Sequence, residues 1–393
     1  MMTCFIHTAD WQLGKPFAHI SDPHKRSLIQ QARIDVLNRI AALVQEHQAG
    51  FVLVAGDLFD TNTPDRSTVA AACSAIGQMA IPVIVIPGNH DHAGAGSIWE
   101  QDFFLREQTA LAPNMRILLN CEAAELEDAV IYPCPLQRRS HVIDPTAWLR
   151  NLEVFRTDTS SKPRIVIAHG STQAFHSDDD DELMGIASNL LNIDRLPMDE
   201  IDYVALGDWH GAKQVNSKTW YSGTPEIDRF PKGTDNQPGQ TLIVKAQRGG
   251  NPIVEAIPTG RLNWQESAFE FSSDDDIEPF KQLMNDLVAQ RTNADLLKLT
   301  LTGSLSITAT SQLDALLESF EARLLRLKLS NQTTIAPSEE ELDLLARNDL
   351  NPLISSVAQQ LIDLKNQPDH EKAETAALAL KMLYSATRQE MNA

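Results

Sequence analysis

Over residues 1–260, short β-rich runs alternate with segments of helical pattern, and this alternation constrains the fold more than any other feature of the sequence. Arg26–Gln48 carries apolar residues at three- and four-residue spacing, which predicts a helix that ends before Gly50. Asp65–Met79, directly after Pro64, predicts a second helix. Early β–α–β alternation followed by more antiparallel strands predicts an α/β fold, a layered sheet with helices outside. The predicted strands are Cys4–His7, Phe51–Ala55, Val83–Ile86, Ala129–Tyr132, Arg164–Ala168, Tyr203–Leu206, Thr219–Tyr221, Thr241–Lys245 and Ile253–Ile257.

The pattern changes near residue 260, so we expect two domains within the 393 residues. Residues 1–260 are expected to form the first domain. Residues 261–276 are mostly polar and end in Ser-Ser-Asp-Asp-Asp, which predicts a linker. Residues 277–393 predict a small C-terminal α/β domain with a helical tail. Its predicted elements are the helix Ile277–Gln290, the strand Leu297–Thr302, the helix Gln312–Leu327, the strand Thr333–Ala336 and the helices Pro352–Lys365 and Glu371–Gln389.

The composition sets limits on the partners and on the compartment. A formal net charge of −20 argues against broad electrostatic attraction to nucleic acid or to an anionic membrane. It does not exclude a nuclease, because a metal site and a local basic groove can hold phosphates on an acidic protein. No apolar run approaches the roughly 20 residues that cross a bilayer, and the N-terminus has no signal-peptide pattern. We therefore expect no binding to a membrane. We also expect a cytoplasmic protein, because the four cysteines lack CxxC spacing and fit a reducing compartment: Cys4, Cys73, Cys121 and Cys134.

Five turns that directly follow predicted strands carry metal-capable side chains. Because the carboxyl ends of strands in an α/β sheet meet at one crevice, these turns can converge. Taken alone, an aspartate after a glycine is most often only a turn, and a single histidine after a strand is most often structural. Gly88–Asp91 is more specific, since three adjacent polar side chains after an apolar strand are costly to bury. The five turns are His7–Gly14, Gly56–Asp60, Gly88–His92, Ala168–Gly170 and Gly207–Gly211.

The residue types in the five turns suit a centre of two divalent cations. Such cations lie roughly 3.5–4 Å apart, share a carboxylate and activate a water that attacks phosphorus in line. Carboxylate, imidazole and amide ligands suit manganese, iron or zinc, and none of the turns contains a cysteine for a thiolate site. The residue types therefore fit a two-metal centre that activates water for attack at phosphorus.

The order of these motifs resembles the calcineurin-like metallophosphoesterase superfamily: Asp-x-(His), Gly-Asp, Gly-Asn-His-Asp, a later His, and Gly-(His)-x-His. The resemblance covers residues 4–258 and implies a four-layer β-sandwich flanked by helices, with a small C-terminal α/β capping domain. It also implies a manganese-dependent DNA exonuclease that acts on DNA ends in repair, pairs with an SMC-like ATPase and forms a homodimer. Four segments resemble in particular the DNA-repair exonuclease branch typified by SbcD: His7–Gly14, Gly56–Asp60, Tyr203–Gly207 and Tyr221–Glu226.

The resemblance implies a role for each residue of the centre. Asp57 would bridge two metal ions. His90 would stabilise charge or act as a general acid at the leaving oxygen, oriented by Asp91. The first metal site would comprise Asp10, Gln12, Asp57 and His210, and the second metal site Asp57, Asn89, His169 and Asp208.

Two positions depart from the family pattern. Gln12 stands where the family usually has a histidine, and Asp208 where it usually has the first histidine of Gly-His-x-His. A neutral amide oxygen is a poorer donor than imidazole, so the first metal site should bind more weakly; alternatively, Gln12 does not ligate and water replaces it. The added carboxylate of Asp208 favours harder ions, with manganese ahead of zinc and with magnesium and iron also candidates. We expect one tight site and one that fills mainly in excess metal.

Other residues near these turns are candidates for contact with substrate. Trp11 and Trp209 could stack on a base or sugar, or could pack beneath their turns. His92 could line the groove or be a solvated loop residue, and the acidic run Ser177–Glu182 fits a solvated loop better than a cation site. Five basic residues could contact phosphate or could be ordinary surface charges: Lys15, Arg138, Arg139, Lys213 and Arg229.

Two other functions stay open. A phosphoesterase for small nucleotides or phosphoproteins would fit the acidic composition. A non-catalytic DNA-binding scaffold would fit a decayed site, although the chain keeps five residues that argue against decay. There is no P-loop pattern, so any ATP-driven step would need another chain. The five retained residues are Asp57, Asn89, His90, His169 and His210.

Overall fold

The computed structural model describes residues 2–172, 188–230, 237–288, 291–336, 338–347, 352–368 and 370–391. The chain divides into two compact units, Met1–Asn263 and Trp264–Ala393, which we call unit 1 and unit 2. Within the described ranges, no helix combines the length and the apolar character needed to cross a membrane. The acidic run Ser177–Glu182 lies outside the described residues.

Unit 1 contains each strand and both helices that the alternation predicts. Its strands are β1 (Met2–Thr8), β2 (Val52–Ala55), β3 (Val83–Ile86), β4 (Met115–Ile117), β5 (Ala124–Glu125), β6 (Val130–Cys134), β7 (Arg164–His169), β8 (Ser171–Thr172), β9 (Leu190–Leu191), β10 (Tyr203–Gly207), β11 (Lys213–Asn216), β12 (Thr219–Tyr221), β13 (Gln240–Gln247) and β14 (Ile253–Pro258). Its α-helices are α1 (Pro23–His47), α2 (Arg66–Gly77), α3 (Asp102–Leu111) and α4 (Glu153–Arg156). Short 3-10 turns cover Ile98–Glu100, Ala147–Arg150 and Ile193–Arg195.

Two six-stranded sheets form the centre of unit 1. The first sheet has the order β14-β13-β1-β2-β3-β4, and the second sheet has the order β11-β12-β10-β7-β6-β5. In the first sheet, β1 to β4 pair in parallel, while β13 runs antiparallel to β1 with Met2 opposite Gln247. In the second sheet, β6, β7, β10 and β12 pair in parallel. The parallel strands place their carboxyl ends along one edge of each sheet.

Alternation along the strands divides the core of unit 1 into layers. In β2, Val52 and Val54 pack against α1 to α3, while Leu53 and Ala55 pack between the two sheets. On the far side, Val166 and Leu206 of the second sheet pack against the short helical segments. Successive side chains of a strand point to opposite faces, so a buried sheet needs apolar residues at every position. The order helices, sheet, sheet and short helices confirms the predicted four-layer α/β sandwich.

A buried histidine joins the two sheets. The ring of His7 lies 2.9 Å from the Tyr203 hydroxyl through Nδ1 and 3.2 Å from the Leu206 carbonyl through Nε2. Because a carbonyl only accepts, Nε2 carries the proton and Nδ1 accepts from the hydroxyl. Burial lowers the pKa of His7 to about 3, although the bond to Leu206 opposes this. The neutral ring therefore aligns the end of β1 with the end of β10.

Unit 2 is a separate α/β unit with a four-stranded sheet. Strands β15, β16 and β17 are neighbours in that order, and β18 pairs with β16 in parallel. A core of leucines and phenylalanines lies between this sheet and its helices. The elements are β15 (Asn263–Phe271), β16 (Asp295–Leu305), β17 (Arg326–Asn331), β18 (Thr334–Ile335), α5 (Ile277–Val288), α6 (Ile307–Arg323), α7 (Glu339–Ala346), α8 (Pro352–Lys365) and α9 (His370–Met391).

Two predictions about the C-terminal region are wrong. The predicted linker is mostly β15, because Phe269 and Phe271, two residues apart on one face, both pack against Phe280 of α5. The helix predicted over Gln312–Leu327 starts at Ile307, after Ser306 caps it by accepting from the Ala309 amide, and ends at Arg323. The residues after it alternate as Leu-Arg-Leu-Lys-Leu, a period of two that forms β17 instead of a further helical turn.

Candidate metal centre

The five predicted turns meet at the carboxyl ends of β1, β2, β3, β7 and β10. The approach is so close that a Cβ at Gly56 would lie 2.2 Å from His169 Nδ1, and one at Gly207 would lie 2.0 Å from the Ala55 carbonyl oxygen. These glycines are therefore required where the turns of the two sheets touch. Positive φ values are found at four non-glycine residues of the turns: Asp10, Gln12, Asp57 and Asp208. Backbone strain of this kind clusters at functional sites.

Asp10, Asp57 and His169 form a buried cluster in which one ligand atom of each lies within 4.8 Å of the others. Burial raises the pKa of Asp10 to about 6; the carboxylates of Asp57 and Asp208 add to this, and the histidines of the centre oppose it. A group of buried carboxylates stabilises positive charge placed among them. The cluster is thus suited to hold a divalent cation.

His169 is held so that one ring nitrogen faces the cluster. Its Nδ1 donates to the main-chain carbonyl of Ala55 at 2.8 Å, which leaves Nε2 turned toward Asp57 Oδ1 at 3.6 Å. A metal-binding histidine is commonly fixed in this way by a bond from its other nitrogen. Burial lowers the pKa of His169, but the surrounding carboxylates, led by Asp57, outweigh burial and raise it to about 9.

The amide of Asn89 and the carboxylate of Asp208 lie beside this cluster, where they are predicted to complete the second metal site. The Asn89 oxygen lies 2.9 Å from His169 Nε2. Without a cation, an amide turned the other way is better placed, since its nitrogen would donate to Asp57 Oδ2 at 3.1 Å. An amide oxygen turned toward the Asp57 carboxylate is repelled by it unless a cation lies between them, so the donor set fits a divalent metal. Asp208 Oδ1 lies 3.7 Å from His169 Nε2, and its Oδ2 accepts from Ser171 Oγ at 2.7 Å.

The first metal site is arranged differently. The Gln12 oxygen accepts from Lys15 Nζ at 2.7 Å, and its nitrogen lies 3.4 Å from His210 Nε2 and 3.5 Å from Asp57 Oδ2. The oxygen that would ligate therefore faces away from the cluster. This arrangement favours the alternative in which Gln12 does not ligate.

His210, which is predicted for the first metal site, is oriented by a carboxylate that the sequence did not indicate. Its Nδ1 lies 3.1 Å from Asp228 Oδ1. Burial raises the pKa of Asp228, but His210, Lys15 and Arg229 outweigh burial and hold it well below the usual range. The only sequence indication of Asp228 is its position two residues after Tyr221–Glu226, a segment that resembles the exonuclease branch.

The calcineurin-like phosphoesterase family matches residues 15–235, more than half of the chain. The chain belongs to this family. Its members are metal-dependent hydrolases that bind two divalent metal ions. The cluster of Asp10, Asp57 and His169 lies at the sheet edge where the metal ions of this phosphoesterase would bind.

Three solved structures illustrate the similarity of this phosphoesterase to known proteins. A Thermus thermophilus protein is 13% identical, with 66% of this chain and 100% of that chain covered and a TM-score of 0.40. GAP50, the anchor in the inner membrane complex of Plasmodium, is 11% identical, with 66% and 85% covered and a TM-score of 0.40. A dimetal phosphatase from Danio rerio is 11% identical, with 64% and 98% covered and a TM-score of 0.34.

The orienting role predicted for Asp91 in this phosphoesterase is wrong. His90 Nδ1 instead donates to the main-chain carbonyl of Asp60 at 2.8 Å, and its Nε2 lies 3.9 Å from Asp57 Oδ2. Asp91 is buried and accepts from the backbone amides of Gly88 at 2.7 Å and Phe59 at 3.1 Å. Burial, with a contribution from Asp57, raises the pKa of Asp91 to about 7. Its carboxyl joins the turns Gly56–Asp60 and Gly88–His92 and does not contact the His90 ring through any described bond.

The predicted substrate contacts separate into buried and accessible residues. Stacking by Trp11 is wrong, because the ring is 1% exposed and its Nε1 donates to Thr8 Oγ1 beneath the turn. Trp209 is partly exposed, and Lys213 Nζ lies 5.4 Å from the centroid of its ring. His92 is partly exposed, and burial together with Arg139 lowers its pKa. The roles of Trp209 and His92 stay predictions.

Arg33 of α1 supports the first turn from below, and the sequence placed it on an otherwise apolar helical face. Its buried guanidinium donates to the carbonyls of Asp10 at 3.0 Å and Glu226 at 3.1 Å, and its Nε donates to the carbonyl of Trp11 at 2.9 Å. Thr224 Oγ1 also donates to the Asp10 carbonyl at 2.9 Å. The strained turn of Asp10 is thus fixed from two sides.

Proposed function

We propose that this chain hydrolyses DNA phosphodiester bonds as a two-metal exonuclease of the SbcD-type DNA-repair branch. The observation that carries the proposal is the convergence of Asp10, Asp57 and His169 beside a partly exposed His90. Such a centre suits in-line displacement at phosphorus. The segments that resemble the exonuclease branch support DNA as the substrate, because they surround this centre.

The proposed metal ligands divide into two sets. We propose manganese as the native ion, with the second metal site formed by Asp57, Asn89, His169 and Asp208 and the first by Asp10, Asp57 and His210. When bound, the two cations supply an activated water and neutralise the phosphate oxygens. The carboxylates and His169 hold these positions before substrate arrives, because the turns are fixed by bonds to main-chain groups.

His90 is the proposed acid or charge-stabilising residue. Its Nδ1 is engaged by the Asp60 carbonyl, so Nε2 is the nitrogen left to face a substrate oxygen. The side chain is 28% exposed, which gives a phosphate access to it. A proton held on Nε2 can pass to the leaving oxygen, a contribution of about 10²-fold or more in rate.

A group of basic and aromatic side chains supports contact with a polyanion on one side of the centre. Arg229 is half-exposed, and its guanidinium lies 3.1 Å from His210 Nδ1. Lys213 lies against the partly exposed ring of Trp209. Two cations and an aromatic face are the elements that hold phosphates and bases of a nucleic acid strand. We also propose an SMC-like ATPase and a second copy of the chain as partners, on the same resemblance.

The net charge of −20 favours a second candidate, a phosphodiesterase for small substrates that need no extended basic surface. The test is manganese-dependent digestion of linear duplex DNA beside hydrolysis of a small aromatic phosphodiester. We expect conversion of DNA to mononucleotides that is lost in Asp57→Asn and His90→Ala. The matched exposed variants Asp275→Asn and His24→Ala should retain it. Turnover of the small diester with intact DNA would contradict the nuclease and favour the second candidate.

A further inference from the structure

The Gln12 amide is held at both ends. Its oxygen accepts from Lys15 Nζ at 2.7 Å, while its nitrogen lies 3.5 Å from Asp57 Oδ2 and 3.4 Å from His210 Nε2. The residue is 3% exposed, so solvent does not compete for these bonds. The donor end of the amide, and not the acceptor end, therefore faces the first metal site.

Lys15 is itself anchored. Its Nζ forms an ion pair with Asp228, whose side chain is 1% exposed. The second carboxylate oxygen of Asp228 lies 3.1 Å from His210 Nδ1. Because a buried carboxylate that loses its cation is strongly destabilised, the Lys15–Asp228 pair persists and keeps Nζ beside the Gln12 oxygen.

The second metal site has the opposite arrangement. Its ligand atoms face one another, with His169 Nε2 at 3.6 Å from Asp57 Oδ1 and 3.7 Å from Asp208 Oδ1. The Asn89 amide lies 2.9 Å from the same nitrogen. Three of these side chains converge on one position as they stand. The Asn89 amide has its nitrogen toward Asp57 in the better-bonded orientation, but no described bond holds its oxygen on the far side, whereas the Gln12 oxygen is held by Lys15.

We propose that Lys15, anchored by Asp228, is a positioning residue that keeps the Gln12 oxygen out of the first metal site. The chain then binds one divalent cation tightly at the second metal site and another weakly at the first. Rotation of the amide would break the Lys15 bond and turn the Gln12 N–H groups toward an ammonium, donor against donor. The inference rests on the two-metal part of the proposed function and not on DNA as the substrate.

The experiment is calorimetric titration of the metal-free full chain with manganese chloride, with bound ions counted by electron paramagnetic resonance. For the natural sequence we expect one tight equivalent and a second that binds at least about tenfold more weakly. In Lys15→Met the Gln12 amide is free to turn, and the second equivalent should bind about tenfold more tightly. Lys213→Met is the matched control, since it removes a lysine near Trp209 without touching Gln12, and should leave the second equivalent within about threefold.

Gln12→His provides an independent arm that keeps Lys15 and Asp228 in place. An imidazole at this position should give two equivalents of similar affinity, and this result stands even if Lys15→Met does not fold. Two equally tight equivalents in the natural sequence would overturn the proposal. So would equal shifts in Lys15→Met and Lys213→Met, or a single tight equivalent in Gln12→His. None of these measurements uses DNA, so a failure of the nuclease assay and a failure of this proposal are distinguishable.

Discussion

The two histidines of the metal centre are held by different parts of the protein. His169 donates to the Ala55 carbonyl, an atom whose place is fixed at the end of β2. His210 faces the Asp228 carboxylate, whose position depends on other side chains, Lys15 and Arg229. The second metal site is therefore built on the main chain, and the first on a network of side chains. Substitutions should separate the two, because a main-chain site fails when the turns cannot approach and a side-chain site fails when one partner is removed.

The largest expected effect comes from Arg33→Met, which removes the side chain beneath the first metal site. The carbonyl of Trp11 would stay buried without its described donor, and those of Asp10 and Glu226 would share the single hydroxyl of Thr224. We therefore expect a loss of about 3–5 kcal/mol in the free energy of unfolding. Urea denaturation measures this loss. Arg39→Met removes only a surface ion pair to Glu46 and should stay within about 0.5 kcal/mol. Equal losses of unfolding free energy in the two variants would contradict the inference that side-chain bonds hold the first metal site.

Gly56→Ala tests whether the second metal site depends on the close approach of main-chain turns. The residue has a φ of +90°, and the new Cβ would lie 2.2 Å from His169 Nδ1, so we expect a loss of about 3 kcal/mol. Gly249→Ala is the matched control, because its φ is +72° but a Cβ there meets nothing within 4 Å. That variant should lose only about 1 kcal/mol, the cost of the backbone conformation alone. If the two variants unfold at the same urea concentration, close approach of the turns is not what the glycine provides.

Acidification should weaken the alignment of the two sheets on which both metal sites depend. The pKa of His7 is about 3 in the folded protein against 6.5 for the free side chain, because burial disfavours the charged ring. The contribution of His7 is fully present above pH 6.5 and is lost as the pH falls toward 3. Between pH 7 and pH 5 this group alone removes about 2 kcal/mol from the free energy of unfolding.

Urea unfolding of His7→Asn at pH 7 and pH 5 checks this contribution. Between pH 7 and pH 5 the variant should lose about 2 kcal/mol less stability, or gain about 2 kcal/mol more, than the natural sequence does. Only the His7 contribution is removed, and those of Asp10, Asp91 and His169 remain. His24→Asn changes an exposed histidine and should preserve the difference that the natural sequence shows between the two pH values. An unchanged pH dependence in His7→Asn would assign the acid sensitivity to other groups.

The smallest expected effect concerns Asp208, a proposed ligand of the second metal site that the side chain of Ser171 holds. Ser171→Ala removes the 2.7 Å bond to Asp208 Oδ2 and should weaken tight manganese binding about tenfold, which is about 1.4 kcal/mol. Calorimetric titration measures the affinity, with the exposed Ser140→Ala as the control. Unaltered affinity in Ser171→Ala would mean that the main chain alone positions this ligand as well.

The strands and the turns that follow them could be predicted because their signals are local. Apolar runs such as Val83–Ile86 lie between turn residues, and the glycine after β2 immediately precedes Asp57. The repetition of polar residues after several such runs identified Asp10 and His169, because the ends of these strands can meet at one crevice. This reasoning needed no knowledge of which strands are neighbours.

The partners of these residues could not be predicted, because they lie far along the chain or offer only main-chain atoms. His90 is oriented by the carbonyl of Asp60, a group that every residue has, and not by the carboxylate of the adjacent Asp91. Arg33 occupies an apolar helical face, and its acceptors are carbonyls up to 193 positions away. The orientation of the Gln12 amide depends on Lys15 and thus on a carboxylate 213 positions from that lysine.

The pairing of β1 with β13 sets the order in which the protein can be completed on the ribosome. Met2 lies opposite Gln247, and Thr224 bonds to the Asp10 carbonyl, so the first strand waits for residues made long after it. At synthesis rates of about 5–20 residues per second, this wait lasts on the order of ten seconds or more. During this time the Asp10 turn has the support of Arg33 but lacks the bond from Thr224 that holds its other side. Acquisition of metal is therefore a late event in the biogenesis of unit 1, after its N-terminal strand and β13 have met.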